Sequence, residues 1–300
     1  MSRTLHVFQV DAFTRRQFTG NPAGVVLAAD AVADDEMLAI ARELNNADTA
    51  FVLAPNAADH DVQLRFFTPR SEASFVGHAT VAAHYVLSRR SGSATTVRQK
   101  HRSGIVEVSI RGTGDERRVA VRQAAPQLGR ELNERERLAV LDALALSTGD
   151  IDERCPLLIG GAPSARLLIG VHGEEQLKQL KPDMNRLATL SAQLGAAGHF
   201  VFTLAPRTDD CLTSSRMFCP SLGIPEDPVS GNAHGILGAY LARIGVLKPQ
   251  NARAAFVGMQ GQSLQRPGRV EVELEWRDEA LATVWIVGQA ALVFDTTITI

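Results

Sequence analysis

A chain of 300 residues that is 45% hydrophobic, with 31 Lys and Arg against 33 Asp and Glu and a net charge of −2, can bury a core in each of two domains. It shows no basic stripe for nucleic acid and no apolar run long enough to span a bilayer. The three cysteines (Cys155, Cys211, Cys219) and eight histidines have no metal-ligand spacing, and no glycine-rich phosphate loop follows a strand. The expectation is a cytoplasmic protein with free thiols, no signal peptide, no metal, no cofactor, no membrane or nucleic-acid partner, and a small-molecule ligand.

In chain order, Leu5 to Phe13 alternates as a strand. Thr19 to Gly24 reads as a turn cluster before a short strand, Val25 to Leu27. Asp34-Asp35-Glu36 opens an amphipathic helix to Leu44, with its acids at the positive helix end. Asn45 to Asp48 is the turn into a strand, Ala50 to Leu53. Asp48 is read there either as a turn-former or as a proton-transfer group held by Asn45 or Asn46. Val62 to Phe67 is a strand, and Gly77-His78-Ala79-Thr80 opens an apolar helix. His78 at that helix start is a cap or packing residue, or a neutral imidazole whose pKa the helix end pushes down. Gly104 to Ile110 and Arg117 to Val121 form an antiparallel pair, and Ala124 to Gln127 marks a domain boundary.

The second part holds a charged helix near Asn133 to Leu146, strands at Leu157 to Ile159 and Ala165 to Val171, and a turn at Gly160-Gly161-Ala162-Pro163-Ser164. Helices at Glu174 to Leu180 and Met184 to Leu194 precede a strand from His199. Glu226-Asp227-Pro228-Val229-Ser230-Gly231-Asn232 then opens a buried helix, with Asn232 as a possible N-cap. The first amides of such a helix lack intrahelical partners and suit a small carboxylate. Val257 to Gln262, Val270 to Trp276 and Ala282 to Phe294 close the chain in strands.

Four segments recur in the same order. Arg65-Phe66-Phe67-Thr68-Pro69 before Gly77-His78 is matched by Arg216-Met217-Phe218-Cys219-Pro220 before Gly231-Asn232, the second loop being three residues longer. Arg102 to Ile110 is echoed by Arg266 to Leu274, and Leu44 to Leu53 more loosely by Leu194 to Thr203. A repeat near half the chain length means two related domains, placed at 1–124 and 125–300 with the last strand free to cross back. Two related lobes would put both glycine turns at a shared cleft. Strands dominate and helices are few, so the fold class is α+β rather than a doubly wound parallel sheet.

These residues resemble the phenazine-biosynthesis PhzF-like family. The resemblance is carried by Val10-Asp11-Ala12-Phe13 with Gly20-Asn21-Pro22-Ala23-Gly24, by Asp48-Thr49-Ala50-Phe51, and by the two motif turns. It implies the diaminopimelate epimerase-like fold: two pseudo-symmetric lobes, each a mostly antiparallel or mixed sheet rolled around a central helix. It also implies a homodimer and cofactor-independent isomerase chemistry of a biosynthetic kind, moving a proton on a small anthranilate-like or amino-acid-like carboxylate. On that reading Asp48, His78 and Asp227 are catalytic, while Gly77, Ala79, Ser230, Gly231 and Asn232 bind substrate. Two departures stand out: Asp48 occupies the family's glutamate position, and Asn232 stands where the family often has serine. Two-thiol racemisation is not expected, because Val76 and Ser230 precede the two glycines. The alternatives are an epimerase or hydrolyase of a related amino acid, and a carboxylate-binding protein that has lost activity.

Overall fold

The computed structural model describes residues 2–91, 95–161 and 164–300. Its contacts divide the chain into unit 1, Met1–Arg122 with Val287–Ile300, and unit 2, Gln123–Ile286. Unit 1 contains β1 (Thr4–Ala12), β2 (Asn21–Leu27), α1 (Asp34–Leu44), β3 (Asp48–Leu53), β4 (Val62–Phe67), β5 (Glu72–Ala73), α2 (Gly77–Ser91), β6 (Thr95–His101) and β7 (Gly104–Arg111), with β8 (Arg118–Ala124) at its end. Unit 2 contains β9 (Leu128–Glu131), α3 (Glu134–Ala143), β10 (Leu158–Gly160), β11 (Arg166–Val171), α4 (Glu174–Gln179), α5 (Met184–Leu194), β12 (Gly198–Thr203), β13 (Thr213–Cys219), β14 (Ile224–Asp227), α6 (Gly231–Arg243), β15 (Arg253–Gln260), β16 (Gly268–Arg277) and most of β17 (Ala280–Gly288). The last strand, β18 (Ala290–Thr299), belongs to unit 1 and pairs antiparallel with β1.

The duplication seen in sequence is a duplication of topology. In unit 1, β2–β3 is parallel, β3–β4 antiparallel, β4–β6 parallel and β6–β7 antiparallel. In unit 2, β11–β12, β12–β13, β13–β15 and β15–β16 follow the same alternation. β5 lies on β4 as β14 lies on β13. Each sheet wraps one central helix: α2 packs on β1, β2, β3, β7 and β18, and α6 on β9, β11 and β16. A helix covered on all sides has no polar face to spare, and Ala233 to Leu241 are accordingly all buried. The amphipathic α1 and α5 cover the outer faces instead, α1 through Met37, Ile40 and Ala41, and α5 through Leu187 and Leu190.

Two local expectations are corrected. Asn21 to Gly24 is not a turn but the first half of β2, in register with Ala12 to Gln9 of β1. The chain reverses earlier, where Phe13, Phe18 and Gly20 take φ of 64°, 66° and 65°. Gly24 is in the strand because α1 and β3 press on it: a Cβ there would stand 2.8 Å from Leu44 and from Thr49. Strand β6, whose polar residues give little apolar signal, was not anticipated; it forms a full ladder with β7. Ala162 and Pro163 of the expected turn after β10 lie outside the described residues.

Three imidazoles are sealed in these cores. His84 meets Gln99 at 2.8 Å, His199 meets Ser191 at 3.1 Å, and His234 donates through Nδ1 to the Ser230 carbonyl at 2.8 Å. Burial pushes all three down to about 4. With folded pKa values below the ordinary 6.5, the unfolded chain binds more protons between those limits, so stability falls as pH drops from 6.5 towards 4. Urea midpoints measured from pH 7 to 4.5 should decline steadily, and His84→Gln should flatten the slope.

Candidate active site

In unit 1 the parallel pairing of β2 and β3 sets Asp48 opposite Ala23 at the first residue of β3. The turn before it is made by Asn45, the left-handed C-cap of α1 (φ 51°), and by Asn46, whose amide exchanges two hydrogen bonds with Gln9 at 2.8 and 2.9 Å. Both asparagines therefore shape the turn that delivers Asp48. Asp48 is 8% exposed. His78 Nε2 lies 3.7 Å from Asp48 Oδ2, too far for a hydrogen bond, and has no hydrogen-bond partner among the described residues. Burial pushes His78 down to about 4, so the ring is neutral at pH 7. The direction is the one anticipated, but desolvation causes it.

His78 is the second residue of α2. The helix begins at Gly77, and its first closing bond runs from Thr80 N–H to Val76 O at 3.0 Å. Val76, in the cap position, has no side-chain acceptor, so nothing of its own covers the amides of Gly77, His78 and Ala79. A Cβ placed on Gly77 would meet nothing within 4 Å, so open space lies beside these donors. A carboxylate and a neutral imidazole thus flank a partially positive helix end.

The equivalent place in unit 2 is built differently. Glu226 of β14 forks onto Arg216 of β13 at 2.8 and 2.9 Å, and Arg216 also donates to Leu177 O at 2.9 Å and lies over the Phe218 ring. In unit 1 Glu72 forks onto Arg65 at 2.8 and 3.0 Å, with Arg65 over Phe67. Each glutamate stands five residues before its helix's first glycine. The three extra residues fall upstream of Glu226, in the turn Pro220–Leu222. The extra length therefore leaves the glycine turn where the ion pair sets it. Counting back from the two glycines, Asp227 matches Ala73, and along the paired strands Gly198 matches Asp48. A Cβ on Gly198 would stand 2.6 Å from the Met217 terminal methyl and 3.2 Å from the Phe218 carbonyl, so a side chain there would force its neighbours to shift.

The α6 start is capped, and here the reading of Asn232 as N-cap is corrected. Ser230 is the N-cap, accepting from Ala233 N–H at 3.3 Å, and Asn232 is the second helical residue. Asn232 donates to Ser164 O at 3.4 Å, a carbonyl that also accepts from Arg166 at 2.9 Å. Gln260, fully buried on β15, accepts from Ser230 N–H at 3.0 Å and donates to Asp227 O at 2.6 Å. It clamps both ends of the loop that presents Asp227. Neither Gln260 nor Arg166 stood out in the sequence. Each belongs to an ordinary strand segment, and only the register of β13 with β15 brings Gln260 to the loop.

Among the described residues no group of three or more His, Cys, Asp and Glu side chains converges as a metal site would. All three cysteines are buried and free. Burial pushes the Cys155 thiol up to about 11 and Cys219 up to about 12, Asp227 adding to the shift of Cys219, and Cys211 also moves up. At pH 8 an aromatic disulfide reagent should titrate under one thiol per chain in the native protein and three after denaturation. Rapid native reaction of Cys219 would contradict its burial.

The chain belongs to the phenazine biosynthesis-like protein family, whose model matches residues 10–296. Within it, the chain is 37% identical over 295 residues to an uncharacterized isomerase of Clostridium acetobutylicum, covering 98% of each. It is 38% identical over 289 residues to the uncharacterized isomerase YddE of Escherichia coli, covering 96% of each. The crystal structure of the PhzF-family phenazine biosynthesis protein of Bacillus anthracis superposes with a TM-score of 0.89 at 28% identity, over 99% of both chains. The two-unit fold expected from the resemblance is the fold observed. No helix among the described residues is long and apolar enough to cross a membrane.

Proposed function

We propose that this protein is an isomerase that moves a proton on a small conjugated carboxylate, anthranilate-like or amino-acid-like, by general acid/base catalysis. The observation that carries the proposal is the buried pair of Asp48 and neutral His78, 3.7 Å apart, at the start of α2, whose cap position is Val76. The Asp48 carboxylate takes a proton from a substrate carbon, and the electron pair left behind spreads into the conjugated acid. The N–H groups of Gly77, His78 and Ala79 hold the negative charge as it develops. Protonated Asp48 then returns the proton to a different carbon, and the double bond shifts. Neutral His78 can donate to or accept from the substrate amine or hydroxyl. The chemistry consumes no oxidant and requires no cofactor, because only a proton changes place.

In unit 2, Asp227 and the α6 start (Ser230, Gly231, Asn232) are the residues assigned to binding and orienting a carboxylate. The isomerase names of the relatives in Clostridium acetobutylicum and Escherichia coli support the reaction class. Incubation of the protein with a panel of dihydro-aromatic and unsaturated amino carboxylates in D2O tests the reading. Deuterium at a new carbon together with a transposed double bond is the expected result. Binding without exchange in any member of the panel would replace the isomerase with a carboxylate-binding protein.

A further inference from the structure

Unit 1 holds a second concavity, of about 760 Å³, at the far end of α2 from His78. Arg89, on its wall, lies eleven residues beyond His78, roughly 16 Å along the helix. Its other walls are the reversal between β1 and β2 (Arg15 to Phe18), the Gly114–Arg117 turn and the start of β18. The walls are tied to one another. Arg15 bonds Gln289 at 2.6 Å and Glu116 at 2.7 Å, Gln17 bonds Leu292 O at 2.7 Å, and Gln289 bonds Asp115 O at 3.2 Å.

The charge in this pocket is unbalanced. Arg15 is neutralised by Glu116 at 2.7 Å, and Asp115 opposes one of the remaining cations, Arg16, Arg89 and Arg117, so two positive charges are left over. Arg89 lies over the Tyr85 ring, 5.8 Å from its centroid. Arg117 is the telling residue. It is only 9% exposed, yet its guanidinium has no carboxylate within 4 Å among the described residues. A guanidinium that lines a pocket without a counter-charge beside it is a ready partner for an anion entering that pocket. Tyr85, Ala290, Ala291 and Leu292 make the rest of the lining largely apolar.

We propose that this pocket binds a small organic phosphate monoester. Its dianion matches the two unbalanced charges and sits against Arg117, with Arg16 and Arg89 at the mouth. Its organic body rests on Tyr85 and the β18 start. The site is separate from the Asp48–His78 pair and does not depend on the reaction assigned to it.

Calorimetric titration of the whole protein with phenyl phosphate at fixed ionic strength tests this. Saturable one-to-one binding is expected, at least ten-fold tighter than inorganic phosphate, unchanged in Asp48→Asn, and weakened ten-fold or more in Arg117→Gln. Because a buried arginine variant can fail to fold, the exposed pair Arg16→Gln/Arg89→Gln is the second variant and should weaken binding at least five-fold. The proposal is overturned by no saturable binding, by equal affinity for inorganic phosphate, by loss of binding in Asp48→Asn, or by wild-type affinity in the exposed double variant.

Discussion

Asp48→Asn is expected to lower turnover of the isomerised substrate by about 10³-fold or more, within the range that a positioned acid/base contributes. The replacement keeps the shape of the side chain and removes only its ability to carry a proton. The melting temperature should therefore stay within about 3 °C of wild type. Solvent-deuterium exchange into the substrate should fall in parallel with turnover, because both need the same proton carrier. Asp48→Glu is the informative companion. It advances the carboxyl by roughly 1.5 Å into a site where His78 is 3.7 Å from Asp48. Since catalytic groups are sensitive to displacement on the 1 Å scale, that variant should keep activity within about ten-fold while changing which substrates are preferred. Wild-type turnover in Asp48→Asn would return Asp48 to the role of a turn residue.

The largest effect on stability is expected from Arg216→Met. Arg216 and Glu226 are 13% and 11% exposed, and the methionine would strand the glutamate beneath the α6 start. Removing one partner of such a pair costs about 3–5 kcal/mol, read as a shift of the urea midpoint at constant slope. Arg65→Met in the matching place should cost about half as much, because that pair is 20% and 21% exposed and Arg102 still lies 3.7 Å from Glu72. Adding Glu226→Leu to Arg216→Met should recover most of the loss, since a buried pair is worth little more than apolar groups of its shape. A single-variant loss under 1 kcal/mol would mean that the pair does not fix β14, and with it the loop that carries Asp227.

The duplication was legible because its signals are local. Arg, Phe and Pro recur at the same spacing from one another ahead of each glycine turn, and the apolar runs after Gly77 and Gly231 have the all-round character of enclosed helices. Long strands and amphipathic helices were legible by period, α1 to the residue. What failed was information held by a neighbour. Asn21 to Gly24 carries every mark of a turn and is a strand because β1 pairs along all of it and β3 joins at Ala23 and Gly24. Strand β6 has almost no apolar pattern and is fixed by its ladder with β7. At the site, Asp48, His78 and the glycine turns announce themselves by residue type at element ends. Gln260 does not, because its role comes from a register between β13 and β15 that no local pattern encodes.

The membership of β18 in unit 1 has a consequence for synthesis. β1 is an inner strand, paired with β2 on one side and β18 on the other, and Arg3 and Ile300 exchange backbone hydrogen bonds at 2.8 and 2.9 Å. Everything needed for Gln123–Ile286 leaves the ribosome in one continuous stretch, whereas the first-made half waits for residues translated after all of it. The usual order of maturation, amino-terminal domain first, is thereby reversed. A nascent chain arrested before residue 290 would present one finished half and one open sheet whose exposed edge is β1.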